Sequence, residues 1–417
     1  MATVRDPADI RNIALVGQTG SGKTTLTERL LLLTGVIQRM GSVAEGTTVS
    51  DWTDEEKQHK HSLRTSLLHL EHEGHTINLI DAPGLADFAG HAIAVLPAVE
   101  TVAVVVDGAR GVEPMTRRMM SIARDRNLPR MIIVNKIDDP QADLETLVET
   151  LRETFGPECL PINLPTPDRS GVVSVFDEEG SGETLFGSEP EAHRAIVEQI
   201  VEMRDELMNQ YLEEGGDGNL DKRQLHDAFE AALRDAHLVP IAFVSAQTGA
   251  GCEALLHVMA SLLPSPPEGN PRPYVRCDED GAEAECRADP DPSKPVIAHV
   301  FKVTTDPFVG KLGVFRVYQG TVRSRSELLI GDQKKPVRIG HLIKRQGKDS
   351  REVEALGPGD IGAIAKIDEV HFDAVLHEGH ELDGLSLRPL PMPEPMYGLA
   401  IELKNHADET KFSNAAH

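Results

Sequence analysis

Gly17-Gln18-Thr19-Gly20-Ser21-Gly22-Lys23-Thr24 fits the pattern GxxxxGK[ST], and its flanks give the match its meaning. Asn12 to Val16 reads as a buried strand, and Lys23 to Leu33 has helical spacing. Glycines between a strand and a helix let successive backbone N–H groups turn inward around phosphate oxygens. The helix N-terminus then adds the positive end of its dipole. Gly17 through Thr25 are therefore the candidate phosphate-contacting residues, with Lys23 reaching the β- and γ-phosphates and the Thr24 hydroxyl holding Mg²⁺.

Three further elements sit at strand ends. Asp81-Ala82-Pro83-Gly84 closes a strand that begins at His75, and Asp81 follows Lys23 by 58 residues. Its carboxylate suits Mg²⁺, and the Gly84 amide can donate to a γ-phosphate oxygen. Asn135-Lys136-Ile137-Asp138 follows the run Met131–Val134. The acceptor-only carboxylate of Asp138 fits the N1–H and exocyclic amine of guanine, a donor pair that adenine lacks. The Lys136 stem can cover a base face, Asn135 can tie this loop to the phosphate loop, and Ser245-Ala246 can offer backbone N–H to the guanine O6. Four elements in this order predict a guanine-nucleotide site for GTP or GDP with Mg²⁺.

Around the motif, short Val/Ile-rich runs alternate with amphipathic helices from Arg11 to about Leu263, as in an α/β fold with a mostly parallel sheet. Ser66–Glu71 and His75–Ile80 read as a hairpin turning at Glu73-Gly74. The polar stretch 156–238 reads as an inserted subdomain of a unit spanning 1–268, and 269–293 as an acidic linker. From Lys294 to about residue 391 only strands recur, which predicts an antiparallel β-barrel. Residues 392–417 read as one strand and the start of a helix.

Composition excludes other classes. Of 417 residues, 42 are Lys or Arg and 67 are Asp or Glu, a net charge of −25 that argues against a nucleic-acid-coating protein. The longest apolar run, Ile93 to Val106, is broken by Pro97 and Glu100, so no membrane span is expected. Met1–Ile10 has no apolar signal core, and four unpaired cysteines suit a reducing, cytoplasmic setting. His59, His61, His69, His72 and His75 lie close in sequence, but His69 and His72 fall on opposite faces of a strand and no Cys is near, so a solvated hairpin accounts for them better than a zinc site. Between Lys294 and Arg351 there are thirteen Lys/Arg against four acids, which predicts a basic barrel surface for an RNA backbone.

Arg11 to Val16 with Gly17, Thr24 to Leu31, Asp306-Pro-Phe-Val-Gly-Lys-Leu312 and Val353-Glu-Ala-Leu-Gly-Pro-Gly-Asp360 together resemble translation elongation factor G. The resemblance spans essentially the whole chain. It implies a P-loop GTPase domain with an inserted subdomain, a barrel second domain, ribosome binding as a monomer, and three further domains of which Pro393 to Ala400 resembles the opening of the first. Two positions depart from the family pattern. Leu85 stands where the family has a water-orienting histidine, so no catalytic side chain is assignable beyond the charge of Lys23, and slow hydrolysis is expected. His91, six residues on, reads as a helix-surface residue rather than a substitute. Lys60-His61-Ser62-Leu63 stands where the family has RGIT, with the Ser62 hydroxyl kept for Mg²⁺. Both changes are more similar to the family's paralogues than to its housekeeping factor.

Overall fold

The computed structural model describes residues 4–176, 182–214, 220–277, 283–306, 310–331, 333–395 and 397–416. Its first unit runs β1 (Ile10–Val16), α1 (Lys23–Leu33), α2 (Asp54–His59), β2 (Ser66–His72), β3 (His75–Asp81), α3 (Ala89–Val95), β4 (Thr101–Asp107), α4 (Pro114–Asp125), β5 (Arg130–Asn135), α5 (Leu144–Phe155) and β6 (Cys159–Pro161). After β7 (Asn163–Pro165) and β8 (Val172–Ser174) come α6 (Glu189–Val201), α7 (Asp205–Glu214), α8 (Lys222–Arg234), β9 (Val239–Val244) and α9 (Cys252–Ser261). Seven strands form one sheet in the order β2-β3-β1-β4-β5-β9-β6. Only β2 and β3 pair antiparallel; the other neighbours are parallel.

Every residue of β1, β4 and β5 is buried, as strands covered on both faces must be. The two-residue alternation of β1 divides the core. Ile13 and Leu15 pack with Leu26, Leu30 and Leu31 of α1 and Leu255 and Met259 of α9. Ala14 and Val16 pack with Met115 and Met119 of α4 and Leu144 and Leu147 of α5. The hairpin turns as expected, with Glu73 at φ 48° and Gly74 at φ 83°, the mirror-image geometry that joins twisted strands.

The insertion is less separate than its sequence suggests. β6 extends the main sheet by pairing with β9, and Ile196, Val197, Ile200 and Phe229 of α6 and α8 share one core with Ile13 and Leu30. Its polar helices each bury one stripe against that core, a feature that composition alone does not reveal. Residues 177–181, in the Gly/Glu-rich middle, lie outside the described residues.

The second unit is an antiparallel sheet ordered Val337–Arg338, Glu327–Ile330, Val375–His377, Ile297–Asp306, Gly310–Gln319, Ile361–Ala365, Leu342–Gln346 and Asp349–Glu352, which curls around Phe315, Val317 and Leu376. Residues 307–309, in the quoted Asp306–Leu312 motif, lie outside the described residues.

Three expectations need correction. The segment 269–293 is not simply a linker: Tyr274–Cys277 pairs with Glu283–Cys286 and with the returning strand Leu385–Leu387, because Tyr274 is buried against Tyr318. Residues 278–282 of it lie outside the described residues. Residues 397–403 form no strand, having no sheet beside them, and leave Tyr397, Leu399 and Ile401 at 83, 79 and 67 % exposure; a helix, Glu409–Ala416, does follow.

The basic barrel surface is also smaller than its count. Arg316 is buried in an ion pair with Glu100, Lys302 donates to the Thr65 carbonyl, Lys344 pairs with Asp360 at 3.3 Å, and Arg345 faces Asp306 at 3.8 Å. These cations are committed to internal and inter-unit contacts. Arg323, Arg325, Lys334, Lys335, Arg338, Lys348 and Arg351 remain exposed.

Candidate nucleotide site

The C-terminal ends of β1, β3, β5 and β9 converge on one rim of the sheet, where ligands of open α/β folds bind. Gly22 adopts φ 93°, and a Cβ there would run into the Asn135 amide, so only glycine lets the two loops meet. Gly84 is as constrained: a Cβ would meet the Lys23 ammonium and stand 2.5 Å from Thr19 N. Thr19 N donates to Gly84 O at 3.0 Å, tying the phosphate loop to the turn after β3. The Gln18 amide oxygen accepts from Met115 N at 3.1 Å and caps α4.

Lys23 is buried, and its Nζ donates to Gly17 O at 3.0 Å and Gln18 O at 2.9 Å. Burial lowers its pKa to about 8, against the pull of Asp81. The Thr24 hydroxyl donates to Asp81 Oδ2 at 2.8 Å and lies 3.2 Å from Ser62 Oγ. Thr24, Ser62 and Asp81, the three metal candidates, thus stand together, while Thr25 is half-buried on the first turn of α1.

A further buried carboxylate beside these three, Asp51, was not legible in the sequence. It is 3 % exposed, and burial followed by the nearby charge of Asp81 raises its pKa to about 7; the Ser62 hydroxyl opposes the shift. Burial likewise lifts Asp81 to about 6 against Lys23 and Thr24. Asp81 Oδ1 and Asp51 Oδ2 are buried and have no hydrogen-bond partner among the described residues. Two buried carboxylates with unpaired oxygens beside two hydroxyls form a hard donor set that fits Mg²⁺.

Asn135 ties the recognition loops to the phosphate loop. Its Nδ2 donates to Ser21 O at 2.9 Å, and its Oδ1 accepts from Lys136 N at 2.8 Å and Ala246 N at 2.9 Å. Lys136, held at φ 65°, donates from Nζ to Gly20 O at 2.7 Å and pairs with Asp107 at 2.5 Å. Buried Ile137 anchors the loop and leaves Asp138 exposed at its tip. Ser245 N donates to Ala250 O at 2.8 Å and Ala246 N to Asn135 Oδ1 at 2.9 Å, so both amides expected to meet the base have partners within the protein in this structure.

Arg29 and Asp107 were also missed. Arg29 of α1 holds the 245–247 loop through Ala246 O at 2.9 Å and Gln247 O at 2.5 Å. Asp107, an acid at a strand end like Asp81, carried the one signal that could have found it.

Leu85 follows Gly84 half-buried, and His91 is exposed on α3. Of the clustered histidines, His69 contacts Arg345 O at 3.2 Å and His72 faces Glu73 at 3.5 Å.

Both units match known families. Residues 8–265 match the elongation factor Tu GTP binding domain, and residues 295–377 match elongation factor G domain 2. The elongation factor G-like proteins of two Mycobacterium tuberculosis strains, CDC 1551 and H37Rv, are each 32 % identical over 441 aligned positions, covering 99 % of this chain and 60 % of the relative. A crystal structure of a protein from Thermus thermophilus superposes with a TM-score of 0.82 at 34 % identity, over 98 % of this chain and 60 % of that one. The chain therefore spans about three-fifths of the length of the relatives it matches.

Proposed function

The chain belongs to the elongation factor G family of GTPases, and from that premise we propose that it is a Mg²⁺-dependent GTP switch that docks on the ribosome and hydrolyses GTP slowly. The observation that carries the nucleotide reading is the convergence of Lys23, Thr24, Ser62 and Asp81 at the rim where Asn135 joins three loops.

In this reading the amides of 17–25 cradle the phosphates and Lys23 neutralises them. Thr24, Ser62 and Asp81, with Asp51, would hold Mg²⁺, which would supply charge stabilisation at the phosphates. Asp138 selects guanine. Gly84 and Ser62 belong to loops that respond to the γ-phosphate, and the segment bearing Ser62 touches the barrel through Thr65 and Lys302. Residues 1–268 act as the nucleotide unit, 294–391 as the barrel, and 392–417 open a third domain. The exposed cations of the barrel contact ribosomal RNA, and the protein works as a cytoplasmic monomer. Among the described residues no helix is long and apolar enough to cross a membrane.

A second reading follows from Leu85: GTP licenses docking, and hydrolysis is incidental. Single-turnover hydrolysis measured with and without ribosomes separates the two. Stimulation by ribosomes supports the switch; an unchanged slow rate with GTP-dependent co-sedimentation supports docking alone. Loss of GTP binding on removal of Mg²⁺ is expected in both.

A further inference from the structure

At the opposite rim of the sheet from the nucleotide site, where β5 begins, a cavity of about 170 Å³ opens between α4 and α5. Arg117, Ser121 and Arg124 lie at i, i+4 and i+7 of α4, so one helical face carries all three into its wall. Thr154 and Phe155 form the facing wall at the end of α5, and Arg130 lies beneath. Among the described residues no acidic side chain lines the cavity, though beside it Ser121 Oγ donates to Asp125 Oδ2 at 3.5 Å.

Arg130 is the residue that demands an explanation. It is 3 % exposed, its Nε is buried with no hydrogen-bond partner, and no carboxylate lies within ion-pair distance among the described residues. Buried guanidinium groups are ordinarily paired, because an unpaired buried charge is costly. Glu158 is near enough to be felt but makes no ion pair with it, and Arg124 engages Asp125 at 3.5 Å only across exposed surface.

We propose that this cavity is a binding site for a phosphate-type oxyanion, such as pyrophosphate or the phosphate of a small phosphate ester. Its ligands are the guanidinium groups of Arg117, Arg124 and Arg130 and the hydroxyls of Ser121 and Thr154. Planar guanidinium forks meet tetrahedral oxyanions with paired hydrogen bonds, and the hydroxyls can complete the shell. The site is separate from the phosphate loop: β5 leads from Arg130 at one end to Asn135 at the other.

The test uses the full chain saturated with GDP and Mg²⁺, so that the nucleotide site is filled. Sodium pyrophosphate, inorganic phosphate and acetate are titrated separately at constant ionic strength and followed by calorimetry. One saturable pyrophosphate or phosphate event is expected, with acetate silent. Arg117→Ala removes an exposed side chain that the fold does not need, and it should weaken binding about tenfold, the scale of one lost charge-assisted contact. Arg130→Gln should weaken it at least as much. Arg118→Ala, an equal change of charge on the same helix but outside the cavity, should leave binding unchanged. Absence of a saturable event, equal binding of acetate, or equal weakening by Arg118→Ala would each overturn the assignment.

Discussion

At Leu85 a single side chain sets the expected rate. An isobutyl group cannot accept or donate a hydrogen bond, so it cannot orient an attacking water, and positioned groups of that kind are worth about 10²–10⁴-fold. Leu85→His is therefore expected to raise single-turnover GTP hydrolysis by roughly 10²-fold while leaving GTP affinity within about threefold. An unchanged rate would mean that the water is oriented by another group. Asp138 gives the complementary residue-scale test. Exposed at the loop tip, it is free to meet a base, and Asp138→Ala should cost about 1.5–3 kcal/mol of guanine-nucleotide affinity, read by calorimetry, with no matching loss of thermal stability. Most of these residues were legible because strand-end acids and glycine loops carry their chemistry in their spacing. Asp51 was not, because it lies in a polar stretch without periodicity and is defined only by what folds around it.

Among the elements, β2 is the edge of the main sheet, and the barrel covers it. Gly347 N donates to Leu67 O at 2.8 Å, and His69 N donates to the Gln346 side chain at 2.9 Å. His69 is held neutral there: burial, then the charge of Lys344, lowers its pKa to about 4. An unfolded imidazole protonates near 6.5, so between those values the unfolded chain binds the extra proton. The His69 contribution to stability therefore grows as pH rises from about 4 to about 6.5 and levels off above, while the raised carboxyls of Asp51 and Asp81 contribute in the opposite direction. His69→Gln should flatten part of that slope, read from denaturant midpoints between pH 5 and pH 7; a slope identical to the parent would show that His69 is not the group responsible. The strands themselves were readable, Glu327–Ile330 and helix Lys23–Leu33 to the residue, because short apolar runs and helical spacing are local signals. Tyr274–Cys277 was hidden because it lies beside an acidic stretch and its partners, Glu283–Cys286 and Leu385–Leu387, include one more than a hundred residues away.

For the molecule as a whole, the two units are joined through a buried polar knot. Glu100 pairs with Arg316 and accepts from Asn12 at 2.9 Å; Asn12 also donates to Gly359 O at 3.0 Å, and Tyr318 donates to Pro97 O. Composition could count Arg316 as a surface cation, but only the fold shows it facing Glu100. Truncating one partner leaves the other charge buried and unpaired, so Glu100→Ala is expected to destabilise the folded chain by about 3–5 kcal/mol in denaturant unfolding. A loss below about 1 kcal/mol would mean that water reaches the knot. The inter-unit face also brings Thr65, three residues after Ser62, against Lys302 of the barrel, the contact through which the proposed nucleotide switch would reach that surface. That role stands or falls on base recognition, and the most direct measurement is calorimetric titration of the chain, with Mg²⁺ present, by GDP and by ADP. The account predicts GDP binding tighter by at least about a hundredfold, from the carboxylate of Asp138 left unpaired by adenine; equal affinities for the two would contradict it.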